Sequence, residues 1–110
     1  MLIRYKTKKL EKRLTDPKEL NKNFGQLAKK INQRISQLKA ADNLSIMRTL
    51  PAARCHELTG EYEDCLAVDV SGNYRLIFKR DHDPRPQKPD GGLDWTSVTI
   101  IEIQEIKDYH

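Results

Sequence analysis

The feature that most constrains this chain is a change of hydrophobic period near its midpoint. In the first half, Leu20, Phe24, Leu27, Ala28, Ile31, Ile35 and Leu38 follow one another mostly at steps of three and four. That spacing collects them on one stripe of a helix. Asp16 can cap this helix, Pro17 suits its first turn and Glu19 completes a capping box, so a helix is expected over 17–41. Gly25 weakens it by about 1 kcal/mol relative to alanine without having to break it. Beyond Pro51 the period becomes two. Strands are expected over 53–58, 65–70, 74–79 and 96–106, the last with a bulge near Ile100 and Ile101. Ser71-Gly72-Asn73 marks a tight hairpin between the second and third of these.

Two shorter elements come first. Ile3 and Tyr5 alternate with Arg4 and Lys6 as in a strand, and Leu10 and Leu14 share one side of a short helix over 8–14. A further helical turn is expected over 44–48. The order β-α-α-β-β-β-β defines an α+β chain with its helices on one face of a mostly antiparallel sheet. In the strand over 74–79, Tyr74, Leu76 and Phe78 should face the helices. Arg75, Ile77 and Lys79 should face the uncovered side, which has room for His56 as well. The segment 81–95 is rich in Pro, Gly and Asp and long for a small protein. It is either a functional lid or contact loop, or a tolerated insertion.

At 110 residues and 37% hydrophobic content, the chain supports one domain over 1–110 with a modest core. It has no apolar run long enough for a membrane span, and its first residues lack the apolar stretch of a secretory signal. A cytoplasmic location is therefore expected. The net charge of +4 hides an asymmetry: residues 1–50 hold 13 Lys and Arg against 4 Asp and Glu, while residues 51–110 hold 7 against 12. Lys18, Lys22, Lys29, Lys30, Arg34 and Lys39 are expected opposite the apolar stripe. They form a surface suited to an anionic polymer. A solvated helix face would explain a smaller excess, or one confined to a single helix.

Cys55 and Cys65 are the only cysteines and are expected to stay reduced; they flank a predicted turn almost symmetrically, which allows them to face each other across a hairpin. No paired C-x-x-C spacing exists, and Cys55 and His56 should point to opposite faces of a strand, so neither a metal site nor a cofactor is expected. More suggestive are His56 and the final Asp108-Tyr109-His110, which follow the apolar run 98–103. Two histidines on a basic scaffold suit acid/base work on a phosphate backbone.

Three separated stretches resemble the HigB branch of the RelE/ParE toxin superfamily. They are Cys55-His56-Glu57-Leu58-Thr59-Gly60, then Leu66 to Phe78 with its Gly72-Asn73-Tyr74-Arg75 core, and the terminal Asp108-Tyr109-His110. The resemblance covers roughly residues 54–110, and the preceding elements suit the same fold. It implies a type II toxin: a ribosome-dependent endoribonuclease that cuts translated mRNA without a metal, using the 2′-OH as nucleophile. A cognate small antitoxin, of the helix-turn-helix DNA-binding kind, would hold it inactive.

The resemblance also implies roles for single residues. His56 and His110 would transfer protons, with acid and base unassigned. Asp108 would orient or charge a histidine, Tyr109 would stack on a base or place the phosphate, and Arg75 would bind phosphate. From the charge pattern rather than the resemblance, Lys79, Lys29, Lys30 and Arg34 are expected to add contacts to RNA. Two departures stand out. Thr59 replaces the family's lysine, and the next turn is acidic, Glu61-Tyr62-Glu63-Asp64, which places negative charge beside a site for a polyanion. That keeps a second class open: a catalytically attenuated or non-enzymatic ParE-like protein that binds gyrase or an antitoxin. A third, a basic protein that binds RNA nonspecifically, follows from charge alone and explains neither histidine.

Overall fold

The computed structural model describes residues 1–82 and 86–108. Tyr109 and His110, two of the residues singled out above, lie outside the described residues, as do residues 83–85. The chain runs β1 (Leu2–Tyr5), α1 (Lys8–Thr15), α2 (Pro17–Phe24), α3 (Ala28–Ala40), β2 (His56–Glu57), β3 (Cys65–Asp69), β4 (Tyr74–Arg80) and β5 (Ile100–Asp108). The strands form one sheet in the order β1-β5-β4-β3-β2. The β1–β5 pair is parallel and the other three are antiparallel.

The expected long helix is two helices. Gly25 takes φ 49° and ψ −118°, a conformation open to glycine, and a 3-10 turn over Gly25–Leu27 redirects the chain into α3. The capping box also differs. The Asp16 carboxylate accepts from Lys18 N, while Asp16's own N–H is spent on Lys12 O at the end of α1. One residue thus closes α1 and opens α2, and Glu19 contacts Asn23 instead.

The helices bury Leu14, Leu20, Ile31, Ile35 and Leu38 against Leu66, Val68, Leu76, Phe78, Ile101 and Ile103 of the sheet. β4 alternates as expected: Leu76 and Phe78 belong to this core, and Ile77 does not. Pairing in register puts Arg75, Ile77 and Lys79 on the face the helices leave open. The bulge lies at Gln104, where the partners of Ile77 and Phe78 are Glu105 and Ile103. It is not at Ile100 and Ile101, where β5 simply begins. The first part of its expected span is a 3-10 turn, Trp95–Ser97, capped by Asp94.

Arg34 does not join the basic surface. It is 4% exposed. Its guanidinium donates to Asp69 O at 2.7 Å, Ala52 O at 3.0 Å and Gln37 Oε1 at 3.0 Å. These bonds tie α3 to the end of β3 and to the turn before β2. Part of the 81–95 segment also packs down. His82 Nε2 accepts the N–H groups of Thr99 and Ile100 at 3.0 and 3.2 Å. Gln87 and Leu93 form an antiparallel bridge. Leu93 and Trp95 are buried, and the Arg48 guanidinium lies 3.7 Å from the Trp95 ring centroid.

Candidate active site

His56 opens β2, where it pairs with Ala67. Ala67 pairs with Ile77 and Ile77 with Glu105, so one row of the open face reads His56, Ala67, Ile77, Glu105. The next row towards the end of β3 holds Asp69, Arg75 and Lys107. Tyr62, from the turn between β2 and β3, donates its hydroxyl to Glu105 at 3.2 Å. To reach β5 it must cross β3 and β4, which accounts for the complete burial of Ala67 and Ile77 outside the main core. The Lys107 ammonium lies 5.9 Å from the Tyr62 ring centroid. Burial, then the Glu105 charge, pushes the Tyr62 hydroxyl pKa up, and Lys107 pulls it back.

β2 is shorter than its pattern because the residues before it are not extended. Pro51–Ala53 is a 3-10 turn, and Arg54 takes a left-handed conformation, φ 44° and ψ 54°. That conformation costs a non-glycine residue about 1 kcal/mol or more. Here it places the Arg54 carbonyl 2.7 Å from His56 Nδ1. A carbonyl only accepts, so Nδ1 carries the proton, and in the neutral ring the lone pair is on Nε2. Nε2 is therefore the nitrogen that can take a proton from a substrate.

The Arg54 side chain folds onto Asp69, with Nε 2.8 Å from Oδ2 and Nη2 3.2 Å from Oδ1. Arg75 Nε approaches Asp69 Oδ1 at 3.6 Å. The hydrogen bond to Asp69 and its charge raise the Arg54 pKa, so this guanidinium is a fixed cation. The Asp69 carboxylate thus lies between two arginines, one register row from His56. Lys79 adds another cation on the same face, 3.9 Å from Glu102.

The structure thus puts His56, Arg75 and Lys79 on one face, with Arg75 one register row to one side of His56 and Lys79 one row to the other. Asp108 ends β5 opposite Tyr74, at the same end of the sheet as Arg75, but its register alternates with Lys107, which shares the Arg75 face. Tyr109 and His110 continue from that end and lie outside the described residues. Lys29 and Lys30 start α3, on the other side of the sheet from His56. Sequence reasoning missed Arg54 and Lys107. Lys107 was legible in its spacing two positions from Glu105. Arg54 carried no local signal beyond its place two residues before His56.

The acidic turn lies at the opposite end of β3 from Arg54 and Arg75, and Asp64 pairs there with Arg80 at 3.8 Å. Glu63 and Asp64 precede β3 and line a recess of about 450 Å3 with Glu57, whereas Asp69 ends β3. Four residues of extended chain separate the two ends by about 13 Å, beyond the screening length of about 8 Å at physiological salt. A second recess, about 230 Å3, lies between Arg48, Glu57 and Trp95. Neither recess has His56 or Arg75 in its walls. The open sheet face is better suited to an extended chain than to an enclosed small molecule. Cys55 packs against the core, and burial pushes its thiol up to about 12. Cys55 and Cys65 are not cross-strand partners, since Cys65 O accepts from Leu58 N.

Three helices packed on one face of this five-stranded, mostly antiparallel sheet match the RelE-like class of toxin folds. Within that class, residues 3–84 match the family model described as RelE-like toxin of type II toxin-antitoxin system HigB. The chain belongs to this HigB-like toxin family, and is a toxin of a type II toxin–antitoxin system with an antitoxin as its implied partner. The matched span includes His56 and Arg75 and stops before Asp108. No curated protein matches. Among solved structures, the chain is similar in fold to a YoeB/ParE toxin from Agrobacterium tumefaciens, with TM-score 0.55, 11% identity and all of both chains covered. It is also similar to a YafQ mutant from E. coli, with TM-score 0.53, 16% identity, and 96% of this chain and 90% of that chain covered. No helix among the described residues is long and apolar enough to cross a membrane.

Proposed function

We infer that this toxin is a ribosome-dependent endoribonuclease that cleaves translated mRNA on the open sheet face. The observation that carries the reading is His56. Its Nδ1 is committed to the Arg54 carbonyl, which leaves Nε2 for proton transfer, one register row from the Asp69–Arg75 pair.

In the proposed reaction a base removes the proton of a ribose 2′-OH. The oxygen attacks the adjacent phosphorus, the P–O5′ bond breaks and an acid protonates the leaving 5′ oxygen. The products are a 2′,3′-cyclic phosphate and a 5′-hydroxyl. His56 and His110 are the two proton-transfer groups. Arg75 stabilises the charge that builds on the phosphoryl oxygens, and Lys79, on the other side of His56 along the same strand, contacts a neighbouring phosphate. From the family resemblance, Asp108 is assigned to orient or charge a histidine and Tyr109 to stack on a base or place the scissile nucleotide. Lys29 and Lys30, on the helical side, are held to contact ribosomal RNA, not the scissile phosphate. The separation of Glu63 and Asp64 from Arg54 and Arg75 supports catalysis over a binding-only role. The antitoxin is proposed to be a small helix-turn-helix DNA-binding protein, and the ribosome in the cytoplasm is the site of action.

The test is induction of wild type, His56→Ala and His110→Ala in cells without the antitoxin, with mRNA 5′ ends mapped. New ends inside translated regions for wild type alone support the reading. Growth arrest without new ends points instead to a ParE-like target, and unchanged cleavage in both variants removes these histidines from the chemistry.

A further inference from the structure

Behind the Arg54–His56 contact, the open face holds a clamp that the cleavage reading does not use. Arg54 is one of two described non-glycine residues at positive φ, and both of its ends are engaged. Its N–H closes the 3-10 turn on Pro51 O, its carbonyl meets His56 Nδ1, and its side chain is clamped by both oxygens of Asp69. A left-handed arginine needs something to hold it there, since the backbone alone disfavours it. The Asp69 clamp does this from the end of β3, fifteen residues away in sequence. The carbonyl direction follows from that backbone conformation, and the imidazole tautomer follows from the carbonyl.

We propose that Asp69 and Arg54 are positioning residues that select the tautomer of His56. The Asp69 carboxylate anchors the Arg54 guanidinium, the anchored residue stays left-handed, and its carbonyl then holds the proton on Nδ1 and leaves Nε2 free. Asp69 acts on His56 through a backbone conformation rather than by touching it. In contrast to a carboxylate bonded directly to an imidazole, it adds no acceptor to the ring and acts only through the Arg54 carbonyl. Arg75 meets the same carboxylate at a longer distance, 3.6 Å from Oδ1, so its removal leaves the Asp69–Arg54 hydrogen bonds in place and provides a control. The proposal rests on the nuclease reading only for its effect on cleavage. The tautomer itself is a property of the free protein.

The test is nitrogen NMR of the imidazole rings in the full chain, at a pH where they are neutral. His82 is an internal reference: its Nε2 accepts two backbone N–H groups, so it too should carry its proton on Nδ1, and its signal reports an intact fold. Wild-type His56 should be the Nδ1–H form. Arg54→Ala and Asp69→Asn should shift it towards Nε2–H with His82 unchanged, and Arg75→Ala should not. Arg54→Gly, which accepts positive φ without an anchor, should retain more Nδ1–H than Arg54→Ala. In that glycine background Asp69→Asn should have no further effect.

An Nδ1–H ring in Arg54→Ala and Asp69→Asn alike overturns the proposal. So does an equal effect of Asp69→Asn in the arginine and glycine backgrounds, or an equal effect of Arg75→Ala. For cleavage, Asp69→Asn should lose about 10-fold or more, part of the roughly 10²- to 10⁴-fold that a positioned proton-transfer group supplies. If no variant and no wild type cleaves, the nuclease reading fails while the tautomer result still decides this proposal.

Discussion

Replacing Arg34 with alanine should destabilise the protein far more than any change on the basic helix surface. Arg34 is 4% exposed and donates to two backbone carbonyls, Asp69 O and Ala52 O, and to Gln37 Oε1. A buried acceptor left unpaired costs about 1–3 kcal/mol. Ala52 is exposed, so its carbonyl can regain water, whereas the Asp69 carbonyl and the volume of the side chain have no such substitute. Against this stands relief from burying a cation: burial lowers the Arg34 pKa, and the Asp69 charge only partly restores it. The balance is a loss of about 2–4 kcal/mol. At roughly 4 °C per kcal/mol for a chain of this size, the midpoint should fall by about 8–16 °C. Urea unfolding should show a lower midpoint with unchanged slope. Lys29→Ala, at an exposed site on the same helix, should stay within about 0.5 kcal/mol of wild type. If Arg34→Ala is as stable as Lys29→Ala, the tie from α3 to the turn before His56 is not the structural element described here.

Three further outcomes follow from single residues. Trp95→Ala should cost about 3–5 kcal/mol, because the ring is 7% exposed beneath Arg48, and calorimetry checks it. Gly25→Ala should cost about 1–3 kcal/mol from backbone strain alone, since a Cβ there meets nothing within 4 Å; a stability equal to wild type would contradict the positive φ. Burial takes the Cys55 thiol from 9.0 to about 12, so above pH 9 the unfolded chain loses this proton first, and stability falls as pH rises from 9 towards 12. Between pH 8 and 10 the wild type should lose roughly 1 kcal/mol more than Cys55→Ala, measured by urea unfolding at both values.

Most of the architecture was legible because it depends on local period. The alternation of Tyr74 to Lys79 correctly divided β4 between its two faces, and the stripe from Leu20 to Leu38 placed the helical core. Arg34 shows where two signals conflicted. It sits at the i, i+3 spacing between Ile31 and Ile35, so position put it in the core, while its charge suggested the surface. Position prevailed because three fixed acceptors satisfy the guanidinium. The break at Gly25 was marked only as a weak point. Whether a glycine is tolerated in a helix or used to turn it depends on what the next helix packs against, which no local pattern contains. The ends of β2 and β5 were misplaced for a similar reason, since 3-10 turns over Pro51–Ala53 and Trp95–Ser97 carry the same apolar residues a strand would. At the site, His56 and Arg75 stood out through their motifs. Arg54 did not, because its role comes from a carboxylate fifteen residues away and from a backbone angle.

The measurement that tests the central claim most directly is cleavage of a defined mRNA by the purified toxin, on programmed ribosomes and free in solution. The same mRNA would be tested with a 2′-deoxy nucleotide at the mapped scissile position. The account predicts cleavage only on the ribosome, a 2′,3′-cyclic phosphate product end, no cleavage at the 2′-deoxy position and none with His56→Ala. Cleavage that persists at the 2′-deoxy position, or in the absence of His56, would contradict it.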